Sequence, residues 1–206
     1  MILAPLLLTG TLSAEWIIHS EEDFRIKWTY EVSAKFDQES VTWTRKSLEN
    51  TIDGEVIPLP PDQEAWQWTV AYRPGAHLDH GKRFIDSAER RLQRLVDFVR
   101  PPSAYQPGMS WTVEFPEIPV DLAPKSTATW TLGSFTKASE VIPFTVAFIE
   151  ERRSNQMTAE GKGFLDPKTG YLSELALTAK NAPVPGGENS GATYKVLLKL
   201  AQRKPK

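Results

Sequence analysis

The chain of 206 residues has no cysteine and only three histidines. The lack of cysteine excludes disulfides, thiol nucleophiles and thiolate metal sites, and it leaves the compartment of the protein open. Lysine and arginine (24 together) nearly balance aspartate and glutamate (26 together), so the net charge is only −2. A chain with this balance has no overall basic field that would attract nucleic acid, and we expect no nucleic-acid partner.

Sequence motifs of common catalytic sites are missing as well. No serine stands in a Gly-x-Ser-x-Gly elbow, and no glycine-rich segment ends in the Lys-Ser/Thr of a phosphate loop. Asp166 lies in a turn that already explains it, and the neighbouring carboxylates Glu150 and Glu151 are expected to be solvated rather than paired for acid–base chemistry. We therefore expect a non-enzymatic protein that needs no cofactor.

His77 and His80 are the one weak candidate for a metal site. They are three residues apart, with Asp79 between them, at the expected start of a helix. That spacing can place two ligands on one helical face, but Gly75 and Gly81 argue against a regular helix here. We interpret both residues as solvent-exposed histidines in a loop, so we assign no metal to them.

The N-terminus carries a short hydrophobic run at residues 2–8. Small and polar residues follow it and end in Leu12-Ser13-Ala14. It cannot cross a bilayer, which takes about 20 residues, so we expect no transmembrane helix. The run has the length of a signal peptide with cleavage after Ala14, although no basic residue precedes it. We expect residues 1–14 to be a signal peptide or else an apolar N-terminal segment, and residues 15–206 to be one β-rich domain. The first alternative predicts export to the periplasm, cell envelope or exterior. The second predicts a protein that is cytoplasmic or peripheral to a membrane complex.

Alternation of apolar and polar residues from Phe24 to Ser33 predicts a half-buried antiparallel strand. Asp53-Gly54 and the segment Asp166-Pro-Lys-Thr-Gly170 predict two hairpin turns, the second with its glycine in the left-handed conformation. Further strands are predicted at residues 41–48, 65–72, 110–115, 128–135, 141–150, 157–165, 171–179 and 193–200.

One long helix is predicted at about residues 79–99, between the two groups of strands. Its apolar positions follow helical spacing: Phe84, Ala88, Leu92, Leu95, Val96 and Val99. Six cationic and three anionic side chains between Lys82 and Arg100 predict a solvated helix face rather than a site for an acidic partner. The resulting fold is α+β: a large curved antiparallel sheet, as a half-barrel or open barrel, with one long helix.

Five of the seven tryptophans are followed by threonine, although 17 threonines in this length predict fewer than one such pair by chance. Because neighbours in a strand point to opposite faces, the five indoles can share one face of the sheet. They either fill an ordinary core under the helix or line an apolar ligand cavity, since one helix is too small to cover so many strands. The candidates for this ligand face are Trp28, Trp43, Trp68, Trp111 and Trp130.

Two segments, Pro107-Gly-Met-Ser-Trp-Thr-Val113 and Glu160-Gly-Lys-Gly-Phe-Leu-Asp-Pro-Lys-Thr-Gly-Tyr-Leu172, carry a resemblance. Over about residues 105–180 the chain resembles a class of exported bacterial β-rich proteins of unknown function, which offers no catalytic residues to transfer. Its expected fold is also similar to the curved sheets of lipoprotein carriers and receptors, which hold acyl chains. The resemblance implies a protein that binds a lipid or another apolar ligand in a curved sheet. The alternative is a structural or interaction subunit whose tryptophan face or helix docks on a protein partner.

Overall fold

The computed structural model describes residues 10–21, 26–36, 40–57, 67–71, 87–101, 103–119, 122–151, 155–183 and 191–201. These ranges contain eleven strands and one α-helix. The strands are β1 (Gly10–Ser20), β2 (Ile26–Phe36), β3 (Ser40–Ile52), β4 (Glu55–Ile57), β5 (Gln67–Ala71), β6 (Ser110–Phe115), β7 (Ser126–Leu132), β8 (Ile142–Glu150), β9 (Thr158–Asp166), β10 (Tyr171–Ala182) and β11 (Ala192–Ala201). The helix α1 (Ser87–Gln93) lies between β5 and β6.

All eleven strands belong to one antiparallel sheet, in the order β4-β3-β2-β1-β11-β10-β9-β8-β7-β6, with β5 also paired to β3. The sheet is two meanders, β1 to β5 and β6 to β11, joined where β1 pairs with β11. Within the described residues, β6 pairs with none of the strands at the other end, so the sheet is open. The prediction of a large antiparallel sheet is confirmed.

The two faces of the sheet differ because apolar and polar residues alternate along the strands. In β8 the side chains of Ile142, Phe144, Val146 and Phe148 are buried, whereas Thr145 and Ala147 between them are exposed. The buried face continues from β3 through β1 and β11 to β6 as one hydrophobic cluster. A sheet of this kind must cover its apolar face with another layer of the protein or with a ligand.

Contacts between distant strands are consistent with a curved sheet. The rings of Phe36 in β2 and Tyr171 in β10 meet edge to face with centroids 4.8 Å apart, although two strands separate them. Phe98 contacts both Trp130 in β7 and Tyr171 at 4.9 and 5.4 Å. Because adjacent strands are about 4.8 Å apart, strands three steps apart are about 14 Å from each other in a flat sheet. Curvature toward the buried face brings such side chains together.

Both predicted hairpin turns are present. Asp53 and Gly54 have φ angles of 54° and 82°, which is the left-handed pair that a two-residue hairpin favours. In the turn between β9 and β10, Asp166 Oδ1 accepts a hydrogen bond of 2.8 Å from the Lys168 amide. Gly170 has φ of 64°, and its amide donates to the Asp166 carbonyl at 2.6 Å. Asp166 is therefore a turn residue, as its position in the sequence predicts.

The prediction of one long helix at about residues 79–99 is not confirmed. Helix α1 covers Ser87–Gln93, and residues 94–99 form a turn followed by irregular chain. Residues 79–86 lie outside the described part. The prediction of a solvated helix face is wrong, because Arg90, Arg91 and Arg94 are only 5, 4 and 3% exposed. Helical periodicity presumes one face in water, whereas this segment lies inside the curve of the sheet and is surrounded by protein.

Candidate functional site

Four of the five candidate tryptophans lie on the buried face of the sheet. Trp28, Trp43, Trp111 and Trp130 are 6, 0, 9 and 1% exposed and belong to one hydrophobic cluster. We call this surface the aromatic face. Trp68 stands in β5 opposite Trp43, and its side chain is outside the described part. Ligand binding at the aromatic face stays a prediction.

The register of neighbouring strands places tryptophan opposite tryptophan and threonine opposite threonine. Trp111 in β6 stands opposite Trp130 in β7, and their rings stack with centroids 6.4 Å apart and planes 17° apart. On the other face Thr112 stands opposite Thr129, and their hydroxyls hydrogen-bond at 2.9 Å. The β6–β7 pair therefore has two indoles on its buried face and two hydrogen-bonded hydroxyls on its outer face.

A second pair of hydrogen-bonded threonines joins β3 and β5 at the opposite end of the sheet. Trp43 stands opposite Trp68, and the hydroxyls of Thr42 and Thr69 hydrogen-bond at 3.0 Å. Cross-strand pairs of this kind stabilise antiparallel sheets by a few tenths to about 1 kcal/mol each. The pairing accounts for Trp111-Thr112 and Trp68-Thr69, whose partner threonines precede a tryptophan, and it leaves the other three Trp-Thr dipeptides unexplained.

Residues 88–101 pack on the aromatic face at Trp111 and Trp130, and every one of them is buried. We call this segment the strap. It contains most of α1 and the irregular chain that follows, and it connects the two meanders of the sheet. Its apolar side chains Leu92, Leu95, Val96, Phe98 and Val99 belong to the same cluster as the tryptophans. The strap also buries seven polar or charged residues: Glu89, Arg90, Arg91, Gln93, Arg94, Asp97 and Arg100.

One end of the strap is fixed near the ends of β6 and β8. Arg91 binds Glu150 through two parallel hydrogen bonds of 2.8 and 2.6 Å. Arg94 donates to the carbonyls of Pro116 and Pro124, the first at 2.6 Å, and to the Ser126 hydroxyl at 3.2 Å. Guanidinium groups suit this role because they carry several donors in a fixed plane.

The other end of the strap is fixed at the turn between β9 and β10. Arg100 donates to the Thr169 carbonyl, and the hydroxyl of Tyr105 donates to the Gly170 carbonyl at 2.5 Å. Burial raises the pKa of Tyr105, and the positive charge of Arg100 opposes this shift. Because that turn lies at the end of the sheet opposite Glu150, the strap runs along the strands from one end to the other.

A third set of contacts joins α1 to β2 and β3. Glu89 Oε1 accepts a hydrogen bond from the Tyr30 hydroxyl at 3.1 Å and forms an ion pair with Arg45 at 3.3 Å. Burial lowers the pKa of Arg45, while the negative charge of Glu89 counteracts this effect. The charged groups at this site hold the strap in place, and catalysis is not needed to explain them.

Glu150 was expected in solvent, and that expectation is wrong: its side chain is 0% exposed and also accepts the Met157 amide at 3.2 Å. A signal in the sequence could have found it. Glu150 continues the phase of Ile142, Phe144, Val146 and Phe148, whose side chains face inward. Glu151, in the opposite phase, is exposed and pairs with Lys125 at 3.2 Å.

The metal candidates His77 and His80 lie outside the described residues. Among the residues that are described, no group of three or more histidine, aspartate or glutamate side chains is arranged to hold a metal ion. An open groove of about 520 Å³ lies beside the Arg94 end of the strap. It is lined by Glu114, Pro116, Glu117, Pro124, Lys125 and Glu151.

Comparisons with known proteins give no identity for this chain. No protein-family model matches it, and no curated protein matches it. The resemblance of residues 105–180 to exported β-rich proteins therefore stays a prediction. Across the described residues, none of the helical structure is both apolar and long enough to pass through a bilayer.

Proposed function

We propose that the protein is a non-enzymatic, exported envelope protein that binds a lipid or another apolar ligand on the aromatic face of a half-barrel sheet. One observation carries the proposal. The broad apolar face of an eleven-stranded sheet is covered, among the described residues, mainly by the strap at residues 88–101, with Tyr105 stacked on Trp111 beside it.

The composition of the strap supports this proposal. A permanent cover for an apolar face is most stable when it is apolar itself, because burying charged groups costs several kcal/mol per ion before their pairing is counted. The strap instead buries four arginines, a glutamate and an aspartate. Such a cover gains less from the apolar face than a hydrocarbon chain does, so a lipid can compete with it.

The buried polar groups also support a role without catalysis. Arg91 and Glu150 satisfy each other, and Glu89 is held between Tyr30 and Arg45. These groups are engaged in positioning the strap, which is what a binding protein with a movable cover requires. Export rests on the apolar residues 2–8 and the small residues that follow them.

Native mass spectrometry of the protein, expressed in a bacterial host and purified without detergent, tests the proposal. We expect adducts with the mass of a lipid that disappear after extraction with organic solvent. The same spectrum reports whether residues 1–14 have been removed. If the bare chain is the only species, and incubation with phospholipid vesicles adds no lipid, the proposed binding function is wrong.

The alternative function is that of an interaction subunit, and two observations favour it. Strand β6 pairs with β7 on one side and, among the described strands, with none on the other. The outer face also exposes Val141, Ile149 and Phe164 by 43, 43 and 40%. An open edge can add a strand from a partner. This alternative predicts a stable complex in light scattering together with a lipid-free mass, so one preparation distinguishes the two functions.

A further inference from the structure

The side chain of Phe98 occupies a box formed by three aromatic rings. Trp111 from β6, Trp130 from β7 and Tyr171 from β10 surround it with centroids 6.1, 4.9 and 5.4 Å away. All three contacts are edge to face, with interplanar angles of 82°, 87° and 90°. We call these three residues the aromatic box. The sheet supplies its walls and the strap supplies its occupant.

The backbone that carries Phe98 is weakly held. Turn hydrogen bonds run from the amides of Leu95, Val96 and Asp97, the last lengthened to 3.4 Å. Beyond them, the amides of Phe98 and Val99 donate no backbone hydrogen bond among the described residues. Because a buried amide without an acceptor costs free energy, this part of the strap is the part most easily displaced.

The two stacked indoles of the box differ in their hydrogen bonding. Trp111 Nε1 donates to the Val99 carbonyl of the strap at 2.9 Å. Trp130 Nε1 is buried and has no acceptor within the described part of the chain. If the strap moves away, both N–H groups need an acceptor. A pure hydrocarbon supplies none, whereas an acyl ester carries two oxygens.

We propose that the aromatic box is the subsite for the ester end of a fatty-acyl ligand, which replaces Phe98 and gives its oxygens to Trp111 Nε1 and Trp130 Nε1. This inference rests on the proposed lipid-binding function and specifies its ligand class. In the free protein, Phe98 closes the box as an internal substitute for the ligand. In the bound protein, residues 95–99 move and carry the Phe98 ring out of the box, while the arginine contacts at both ends keep the strap attached.

Ligand affinity in matched variants tests the inference. The probes are methyl laurate and tetradecane, which differ in the ester but are similar in length, and binding is followed by displacement of a fluorescent naphthalenesulfonate. Phe98→Ala is expected to bind both probes about tenfold more tightly than the natural chain, because the internal competitor is gone. Phe164→Ala, which removes an exposed ring on the outer face of the sheet, serves as the control and is expected to leave affinity unchanged.

The ester preference is tested by Trp130→Phe, which keeps a ring in the wall and removes its N–H. The natural chain is expected to bind methyl laurate more tightly than tetradecane. In the variant, the ratio of the two affinities is expected to fall by about threefold to tenfold, which corresponds to the loss of one neutral hydrogen bond. Binding of methyl laurate that neither Phe98→Ala nor Trp130→Phe changes would overturn the box while leaving the proposed function standing. If neither probe binds any variant, both proposals fail.

A second measurement keeps the Phe98 ring in place. The chain has no cysteine, so Leu95→Cys introduces a single thiol in the strap, at a position that is 2% exposed. Its reaction with a maleimide is expected to be slow in the free protein and at least about tenfold faster with methyl laurate, because the strap opens. A thiol from Val196→Cys in the central strand β11 should stay protected in both states. Equal protection of the strap thiol with and without bound methyl laurate would contradict displacement.

Discussion

Arg91 in helix α1 and Glu150 at the end of β8 are 59 residues apart in sequence and form a bidentate ion pair. Their side chains are 5 and 0% exposed, and the N–O distances are 2.8 and 2.6 Å. The pair fixes the helical end of the strap to the corner where β8 leads into β9. Water is excluded around both groups, so either one is costly when it is left alone.

Replacing Glu150 by alanine should therefore destabilise the fold by about 3–5 kcal/mol, because Arg91 is left as an uncompensated buried charge. The double substitution Arg91→Met with Glu150→Leu should recover most of this loss, since a buried pair can be replaced by apolar side chains of similar size. Urea denaturation of the two variants and the natural chain measures both effects.

Glu151→Gln is the matched control for this experiment. Its carboxylate is adjacent in sequence but exposed, and its ion pair with Lys125 lies at the surface. Surface pairs contribute between 0 and about 1 kcal/mol, so this change should be small. Equal losses for the alanine variant of Glu150 and for Glu151→Gln would show that the buried pair does not hold the strap.

The turn between β9 and β10 gives a second prediction. Gly170 has φ of 64°, and a side chain in this conformation costs about 1–2 kcal/mol. Gly170→Ala should lower the free energy of unfolding by about that amount, measured by urea denaturation. Lys168→Ala, in the same turn but exposed, should change it by less than about 0.5 kcal/mol. A loss as large at Lys168 as at Gly170 would contradict the conformational explanation.

The strands and turns follow from the sequence because their causes are local. Alternation of apolar and polar residues predicts β6 at Ser110–Phe115, and it predicts β8, which begins at Ile142, to within one residue. The three-residue strand β4 is not among the predicted strands, and strand β1 is a second exception. Its first residues fall in a segment that the sequence leaves open between a signal peptide and an apolar N-terminal segment, and the structure pairs Gly10–Ser20 with β2 and β11.

The strap could not be predicted, because long-range contacts decide its structure. Its apolar spacing is helical through Val99, yet the helix ends at Gln93. After that point the Arg94 side chain reaches the carbonyls of Pro116 and Pro124, and the Phe98 ring enters the aromatic box. These contact partners are distant in sequence, so no local pattern in residues 87–101 could predict them. The threonine neighbours were enough to predict which tryptophans share the aromatic face. They did not predict which segment packs on it.

The pKa of Tyr105 gives a third prediction. Burial raises it above the value of about 10 that a tyrosine has in an unfolded chain. Because the folded pKa is the higher one, the stabilisation is complete below about pH 10 and is lost as the pH rises above it toward the folded value. Tyr105→Phe cannot ionise and lacks the hydrogen bond to Gly170, which costs about 1 kcal/mol at neutral pH.

The gap in unfolding free energy between the natural chain and Tyr105→Phe should therefore narrow as the pH rises from about 8 to about 11. Urea denaturation of both proteins at several pH values measures this gap. The contributions of other titrating groups cancel in the difference because both chains contain them. A gap that stays constant across this range would mean that the folded and unfolded proteins hold the tyrosine proton equally well.

The final prediction compares neighbouring residues on the two faces of strand β7. Trp130 is 1% exposed and contacts Phe98, Trp111 and Phe144, so Trp130→Ala should cost about 3–5 kcal/mol through lost burial and the cavity that remains. Thr129, its neighbour on the outer face, shares a hydroxyl hydrogen bond with Thr112. Thr129→Ala should cost no more than about 1 kcal/mol, because that pair lies in contact with water. Urea denaturation of both variants decides the matter: comparable losses would mean that the outer face is also a core, covered by something other than solvent.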